Sequence, residues 1–387
     1  MLMVEFCPMS FAPIVLQLTT HPSSFKFELT LEQALPHSPS PEYNWPKMAT
    51  ATTRPPANGF VRAMRKVYHP IGFTKGYNFV LFFIFAGAMM GFILARFQYL
   101  SYDMIFCGAD PTFDCYYYDN DLVQKAGIII HLGAILPAGF LACFQFVPAI
   151  RHKAILFHRL NGYTILFLSL VGTAGAIMIA RHSFGGGLDI QVGVGALGIM
   201  FIGSLGLSYY NVKRLQLEQH RAWMLRAWFY AGVIITARLG LIAIASISSN
   251  KEYYAPISCD ELASRFLLGS QEETLRKFPA CEAYFSGTNP DLIVPVEANM
   301  NGDGPETARA ALNITFGAAI WLALFIHAVG IEIYVRLTPA EGERLRNVSY
   351  HRQVEAGMKH PGRAGLTADK LGDSAIWVPE EEREINK

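Results

Sequence analysis

The chain has 387 residues, of which 52% are hydrophobic and only 16% charged, with a positive mean hydropathy of +0.26. A soluble domain carries nearer a quarter charged residues, so a water-soluble fold is excluded, as are low-complexity and collagen-like chains. Thirty-two basic residues against 31 acidic give a net charge of +1, which leaves no charge argument for nucleic acid as a partner. The composition describes an integral membrane protein whose first partner is the lipid bilayer.

Residues 1–58 read as a disordered tail. Met1 to Leu18 is apolar, but it lacks a basic start and contains Glu5, Pro8 and Pro13, so it makes a weak signal peptide. Pro, Ser and Thr then dominate to Asn58, against a packed core. Met48, followed by Ala-Thr-Ala-Thr-Thr, is an alternative start.

A membrane-crossing helix needs about 20 apolar residues, since each rises about 1.5 Å through a hydrocarbon core about 30 Å thick. Six stretches between 59 and 337 qualify, at 77–100, 126–150, 160–180, 190–211, 227–248 and 310–335. The fold class expected is therefore all-α, a polytopic bundle of six transmembrane helices. An exoplasmic loop at 249–309 precedes the sixth span. The segment from Thr338 to 387 is polar and contains Glu380-Glu381-Glu382, and it reads as a cytoplasmic tail, disordered or lying on the surface.

Lys and Arg in short loops set orientation. Arg54, Arg62, Arg65, Lys66 and Lys75 precede the first span; Arg151, Lys153 and Arg159 lie between the second and third; Lys213, Arg214, Arg221 and Arg226 lie between the fourth and fifth. The opposite loops hold only Lys125 and Arg181, and the first of them is acidic. Both termini are thus expected in the cytoplasm, consistent with an even number of spans, in an endomembrane or the plasma membrane. Cys107, Cys115, Cys259 and Cys281 fall on the exoplasmic side, where disulfides persist. Cys107–Cys115 and Cys259–Cys281 are the pairs expected, although four cysteines allow three pairings.

Ionisable groups inside or beside the spans are where function is sought. His131 lies just inside the outer end of span two, and Arg181-His182 closes span three on the same side. His158-Arg159 and His220-Arg221 lie at the inner ends of spans three and five. His158 and His182 are 24 residues apart, roughly 36 Å along a helix. Neutral imidazole is the usual axial ligand of b-type haem, so His131 with His182 and His158 with His220 would hold two haems in series. Gly127, Ala134, Ala138 and Ala142 share a face with His131, leaving room for a flat ligand or a close partner helix. His152 and His327 are alternative inner ligands. Arg238 sits near the middle of span five with no acid at matching depth, so its partner is expected in carbonyls, the Asn313 and Thr315 region, or an anionic ligand. The competing structural account is that these groups cap helices and set orientation.

The run His131-Leu-Gly-Ala, Phe144-Gln-Phe, His158-Arg159-Leu-Asn-Gly162, His182 before a Gly-rich turn, His220-Arg-Ala-Trp-Met224 and Arg238-Leu resembles the membrane-protein family designated domain of unknown function 2306. That resemblance implies a polytopic membrane protein of no established activity. The order of His131, His158, His182 and His220 is also similar to six-helix, two-haem b-type cytochromes reduced by ascorbate, which implies haem b and a small-molecule electron donor. Three functions are therefore expected in competition. One is a transmembrane oxidoreductase in which the four histidines ligate haem iron and Arg159, Arg221 and Arg238 answer propionates or lipid phosphates. The others are a small-molecule or lipid transporter with Arg238 and His131 lining a polar cavity, and an accessory or scaffold protein that binds protein partners.

Overall fold

The computed structural model describes residues 58–109, 113–249 and 251–385, so the expected N-terminal tail and its alternative start at Met48 lie outside the described residues. Six helices are long and apolar enough to cross a membrane, as expected. They are α1 (Gly76–Arg96), α2 (Leu122–Gln145), α3 (Ile155–Ile179), α4 (Leu188–Lys213), the pair α5 (Leu217–Ala231) and α6 (Val233–Ser248), and α7 (Pro305–Arg336). The fifth span starts earlier than hydropathy indicates, at Leu217, and is interrupted at Gly232. Its first turns carry Glu218, His220, Arg221 and Arg226, which hide a helix from an apolar count.

Small residues decide which helices touch. A Cβ on Gly175 of α3 would stand 2.7 Å from the carbonyl oxygen of Gly127 on α2, and one on Gly172 would stand 3.2 Å from the backbone nitrogen of Ile135. The two backbones are therefore in direct contact, with Ala134, Ala138 and Ala142 buried along α2. Of the two expectations for this face, a partner helix is what the structure contains, and the flat ligand has no room there. α1 packs on α2, where a Cβ on Gly139 would meet Ile93 at 2.6 Å. α4, α6 and α7 share a second apolar core of Ile190, Val233, Ala237, Phe316 and Ile320. Outward residues such as Phe83, Leu160, Ile199 and Phe325 are exposed, as lipid-facing positions require.

One end of the bundle carries a folded cap. Residues Tyr102–Ala109 and Cys115–Asn120 are joined by a Cys107–Cys115 disulfide, and Cys259–Cys281 closes the second half, so both expected pairs form. Between them β1 (Tyr254–Ser258) and β2 (Ile293–Glu297) make an antiparallel ribbon in which Ala255 pairs with Val296 and Ile257 with Val294. The period of two puts Ala255, Ile257, Val294 and Val296 inside, against Leu262, Ala310 and Ala311.

The cap is fastened to α7 by charge. Arg309, 1% exposed, donates from Nη1 to Asp114 Oδ1 at 2.5 Å and from Nε to Glu261 Oε1 at 3.0 Å. Tyr117 donates to the other Glu261 oxygen at 2.6 Å, and Tyr116 and Tyr284 both donate to Asp260.

The opposite end, the tail face, differs from a trailing segment. α8 (Pro339–Glu355) and the residues after it lie on the surface formed by the α4–α5 turn. Gln353 donates to the Arg214 carbonyl at 2.9 Å and accepts from Gly362 N–H at 2.6 Å. Gln216 accepts from Gly365 N–H, and Asn211 from Leu366 N–H, each at 2.9 Å. Gln353, Gln216 and Asn211 are fully buried. Polar composition read as a tail is here a set of amides satisfied inside a docked segment.

Candidate functional site

Below the cap, four elements bring costly polar groups together within the span region. His131, on α2, places Nδ1 2.7 Å from the Gly172 carbonyl of α3. A carbonyl only accepts, so Nδ1 carries the hydrogen and Nε2 presents a lone pair. Arg238, on α6, lies within electrostatic reach of His131 and of Arg96 at the end of α1. Among the described residues neither arginine makes a hydrogen bond or an ion pair; both lie over aromatic rings, Arg96 5.0 Å from the centre of Phe92 and Arg238 4.6 Å from that of Phe184. Tyr99 and Tyr118 also lie in the field of Arg238.

The turn between α3 and α4 supports Arg238 at a conformational expense. Phe184 has φ 51°, in the left-handed region, where a bulky side chain is an outlier. Its N–H donates to Asp114 at 3.2 Å and its ring stacks on Phe316 at 4.1 Å. Strain of this kind costs about 1–3 kcal/mol and persists where surroundings enforce it. Asp114 is the acid in electrostatic range of Arg238, yet its carboxylate is already engaged by Arg309 and Phe184. The Asn313 and Thr315 region is not the partner of Arg238, because Thr315 bonds its own Ala311 carbonyl and Asn313 lies against Gly185. Glu332 pairs with Arg226, at 2.5 and 2.9 Å, near the tail face.

The remaining expected ligands are dispersed. His182 stacks on Tyr117 in the cap at 4.4 Å; burial, and then neighbouring Arg181, hold its pKa below the ordinary imidazole value. His131 is level with Gly172, seven residues before α3 ends at Ile179, or about 10 Å along the helix, and His182 lies beyond that end. The outer pair His131 and His182 therefore does not face one iron, and His131 lies where α2 and α3 are in backbone contact. That pair does not fit a haem. His158 and His220 do come within electrostatic reach of each other. His220 shares Nδ1 with Ser208 Oγ at 2.8 Å, and His158 Nδ1 is buried without a partner. Arg159 is exposed, Arg221 donates to Tyr334 at 3.4 Å, His152 is exposed on a short helix, and both His327 nitrogens are taken, by Phe229 O and Thr236 Oγ1.

The arrangement over helices two to five can now be set beside known proteins. Residues 128–258 match the family described as predicted membrane protein (DUF2306). The DUF2306 segment contains His131, His158, His182, His220 and Arg238, whereas Arg96 and Arg309 lie outside it. A relative from Aspergillus versicolor, Ava biosynthesis cluster protein G, is 28% identical over 54% of this chain and 68% of its own length. No solved structure matches.

The buried Arg309, Asp114 and Glu261 were not singled out from sequence. A signal existed: both acids sit beside paired cysteines, and Arg309 stands at the threshold of the sixth apolar stretch.

Proposed function

We propose that this integral membrane protein binds the acidic head of a small amphiphile at Arg96, Arg238 and the Nε2 side of His131, as a lipid-handling or small-molecule transport protein. One observation carries the proposal: two guanidinium groups share a field inside the span region, and no carboxylate among the described residues pairs with either. A lone arginine at bilayer depth costs about 2.5–3.5 kcal/mol on insertion scales, and aromatic faces return only part of that. An anion between the two would lower the cost, and His131 Nε2 would accept a hydrogen bond from a head-group hydroxyl. That a relative is named for a biosynthesis cluster favours an organic molecule. The basic loops support a cytoplasmic tail face with both termini on that side and the disulfide-bearing cap outside.

The test is native mass spectrometry of the full chain in detergent, titrated with a fatty-acid anion and with the corresponding alcohol. Selective binding of the anion, weakened about tenfold or more in Arg238→Gln and retained in Arg238→Lys, is expected. Equal binding of acid and alcohol, or an unchanged affinity in Arg238→Gln, would overturn the proposal.

For haem, the proximity of His158 and His220 supports one site and not two. A reduced-minus-oxidised spectrum after expression with haem supply tests it: b-type bands that vanish in His220→Ala support that pair, and their absence rejects haem.

A further inference from the structure

The tail face holds a cleft of about 620 Å³ whose wall is built from both sides of the docked segment. Arg214 enters from the end of α4, and Lys359, His360, Arg363 and Lys370 from the loop after α8. No acidic residue lines it. Arg363 is anchored through Asp369, to the backbone carbonyl at 2.9 Å and to the carboxylate at 3.2 Å. Asp369 is in turn held by Arg346 at 2.7 Å and by Trp377 N–H at 3.2 Å. Arg214, Lys359, His360 and Lys370 make no side-chain ion pair among the described residues, and Arg214 rests only on the Tyr210 ring. Like charges gathered around one concavity repel unless something neutralises them.

The frame is rigid. Gly357 and Gly362 turn the chain at φ 65° and 79°, where other residues are strained, and a Cβ on Gly362 would strike Trp377 at 2.8 Å. The buried amides of Gln353, Gln216 and Asn211 fix the loop between these turns and the cleft. The cleft also adjoins the end of a candidate span. Arg214 directly follows the last residue of the fourth span, and Leu366 and Leu371, 41% and 84% exposed, flank the cleft residue Lys370 with unburied apolar surface.

We propose that this cleft binds the phosphorylated head group of an anionic membrane lipid, with Arg214, Lys359 and Lys370 taking the phosphate and Leu366 and Leu371 entering the acyl boundary. Phosphate matches a basic concavity without carboxylates, and the two leucines select a lipid over a soluble phosphate. A cytoplasmic tail face, proposed above, is the side where such lipids are enriched. The site is independent of the Arg96 and Arg238 cluster at the other end of the bundle.

The experiment uses the full chain in a neutral detergent. Binding of short-chain phosphatidylinositol phosphate, short-chain phosphatidylcholine and inorganic phosphate is measured by thermal shift and native mass spectrometry. Wild type is compared with the double variant Lys359→Gln/Lys370→Gln and with Lys251→Gln on the capped face. The expected result is binding of the phosphoinositide over phosphatidylcholine and inorganic phosphate, falling about tenfold or more in the double variant and unchanged in Lys251→Gln. The two lysines are exposed and bond nothing that holds the loop, so the ligand-free melting temperature stays at the wild-type value. Phosphoinositide binding that survives the double substitution, or that phosphatidylcholine or inorganic phosphate equals, overturns the proposal.

Discussion

Gly175 of α3 lies against His131 of α2 so closely that a Cβ on the glycine would stand 2.6 Å from the histidine backbone nitrogen. This contact sets the depth and rotation of His131 and brings its ring onto the Gly172 carbonyl. Gly175→Ala should force the helices apart, because the obstacle is backbone and cannot rotate away. Overpacking costs about 1–3 kcal/mol, partly offset by the better helix propensity of alanine. A lowered apparent Tm is expected, together with weaker binding at the Arg238 cluster. Gly133→Ala on the facing helix α2 is the control: a Cβ there meets nothing within 4 Å, so its Tm should equal or exceed that of wild type.

Arg309 is the second test. Replacing it with Met leaves Asp114 and Glu261 buried without their cation, and breaking such a pair from one side costs about 3–5 kcal/mol. The cap should then become protease-sensitive while the six spans keep their helical signal. Adding Asp114→Asn and Glu261→Gln to Arg309→Met should recover part of the loss, since the stranded charges go with it. A triple variant no more stable than Arg309→Met would show that the arginine acts by packing alone.

The contrast between these two positions explains how much was legible in the sequence. The six spans and the side on which the four paired cysteines lie were readable, because length, apolarity and the sidedness of cysteines are local properties; the expected pairing was one of three that the sequence allowed. The close approach of α2 and α3 was half readable: the small residues were visible, but whether they admitted a ligand or a helix depends on where Gly172 and Gly175 come to lie. Arg309, Asp114 and Glu261 were invisible as a group, being drawn from three segments up to 195 residues apart. Of the two expectations for the end of the chain, disordered or lying on the surface, the structure shows the second, and the bonds that hold it there were hidden for a related reason. Gln353, Gln216 and Asn211 look like solvated residues until each amide is matched to a distant backbone group.

Alkaline pH should open the cap before it affects the bundle. In Tyr116, Tyr117 and Tyr118 burial raises the phenol pKa well above its ordinary value, reinforced by Asp260, Glu261 and Asp114 respectively. Burial and Asp119 do the same to Tyr102. A group whose folded pKa is raised stabilises the fold fully below its unfolded pKa, about 10 for tyrosine, and loses that contribution as pH climbs toward the folded value. Stability should therefore fall above pH of about 10, with tyrosinate absorbance from these residues appearing together with unfolding and not before it. Tyr117→Phe, which cannot ionise, should weaken that dependence. An early, non-cooperative appearance of tyrosinate from all four would contradict the burial on which the prediction rests.

Gln353 is the keystone of the tail face, since one side chain serves Arg214 O, Gln216 Oε1 and Gly362 N–H. Gln353→Leu keeps the volume and removes every one of these bonds, and each buried group left unpaired costs about 1–3 kcal/mol. The loop after α8 should loosen first at its Gly362 end, leaving Gln216, Asn211 and the Asp369 ion pairs as its remaining anchors, so limited proteolysis should cut between 357 and 372. Acid should act on the same loop from its other end. Burial alone would raise the Asp369 pKa, but Arg346 and the Trp377 N–H, both donating to its carboxylate, hold it below the ordinary aspartate value. A depressed folded pKa stabilises the fold above the unfolded value, about 3.9, and that contribution is lost as pH falls through the folded one. Detachment by either route scatters Lys359 and Lys370 from Arg214, so phosphoinositide binding should disappear in Gln353→Leu while the six-helix signal in circular dichroism persists. Retained binding in a variant whose loop is demonstrably cleaved would place the lipid elsewhere on the tail face.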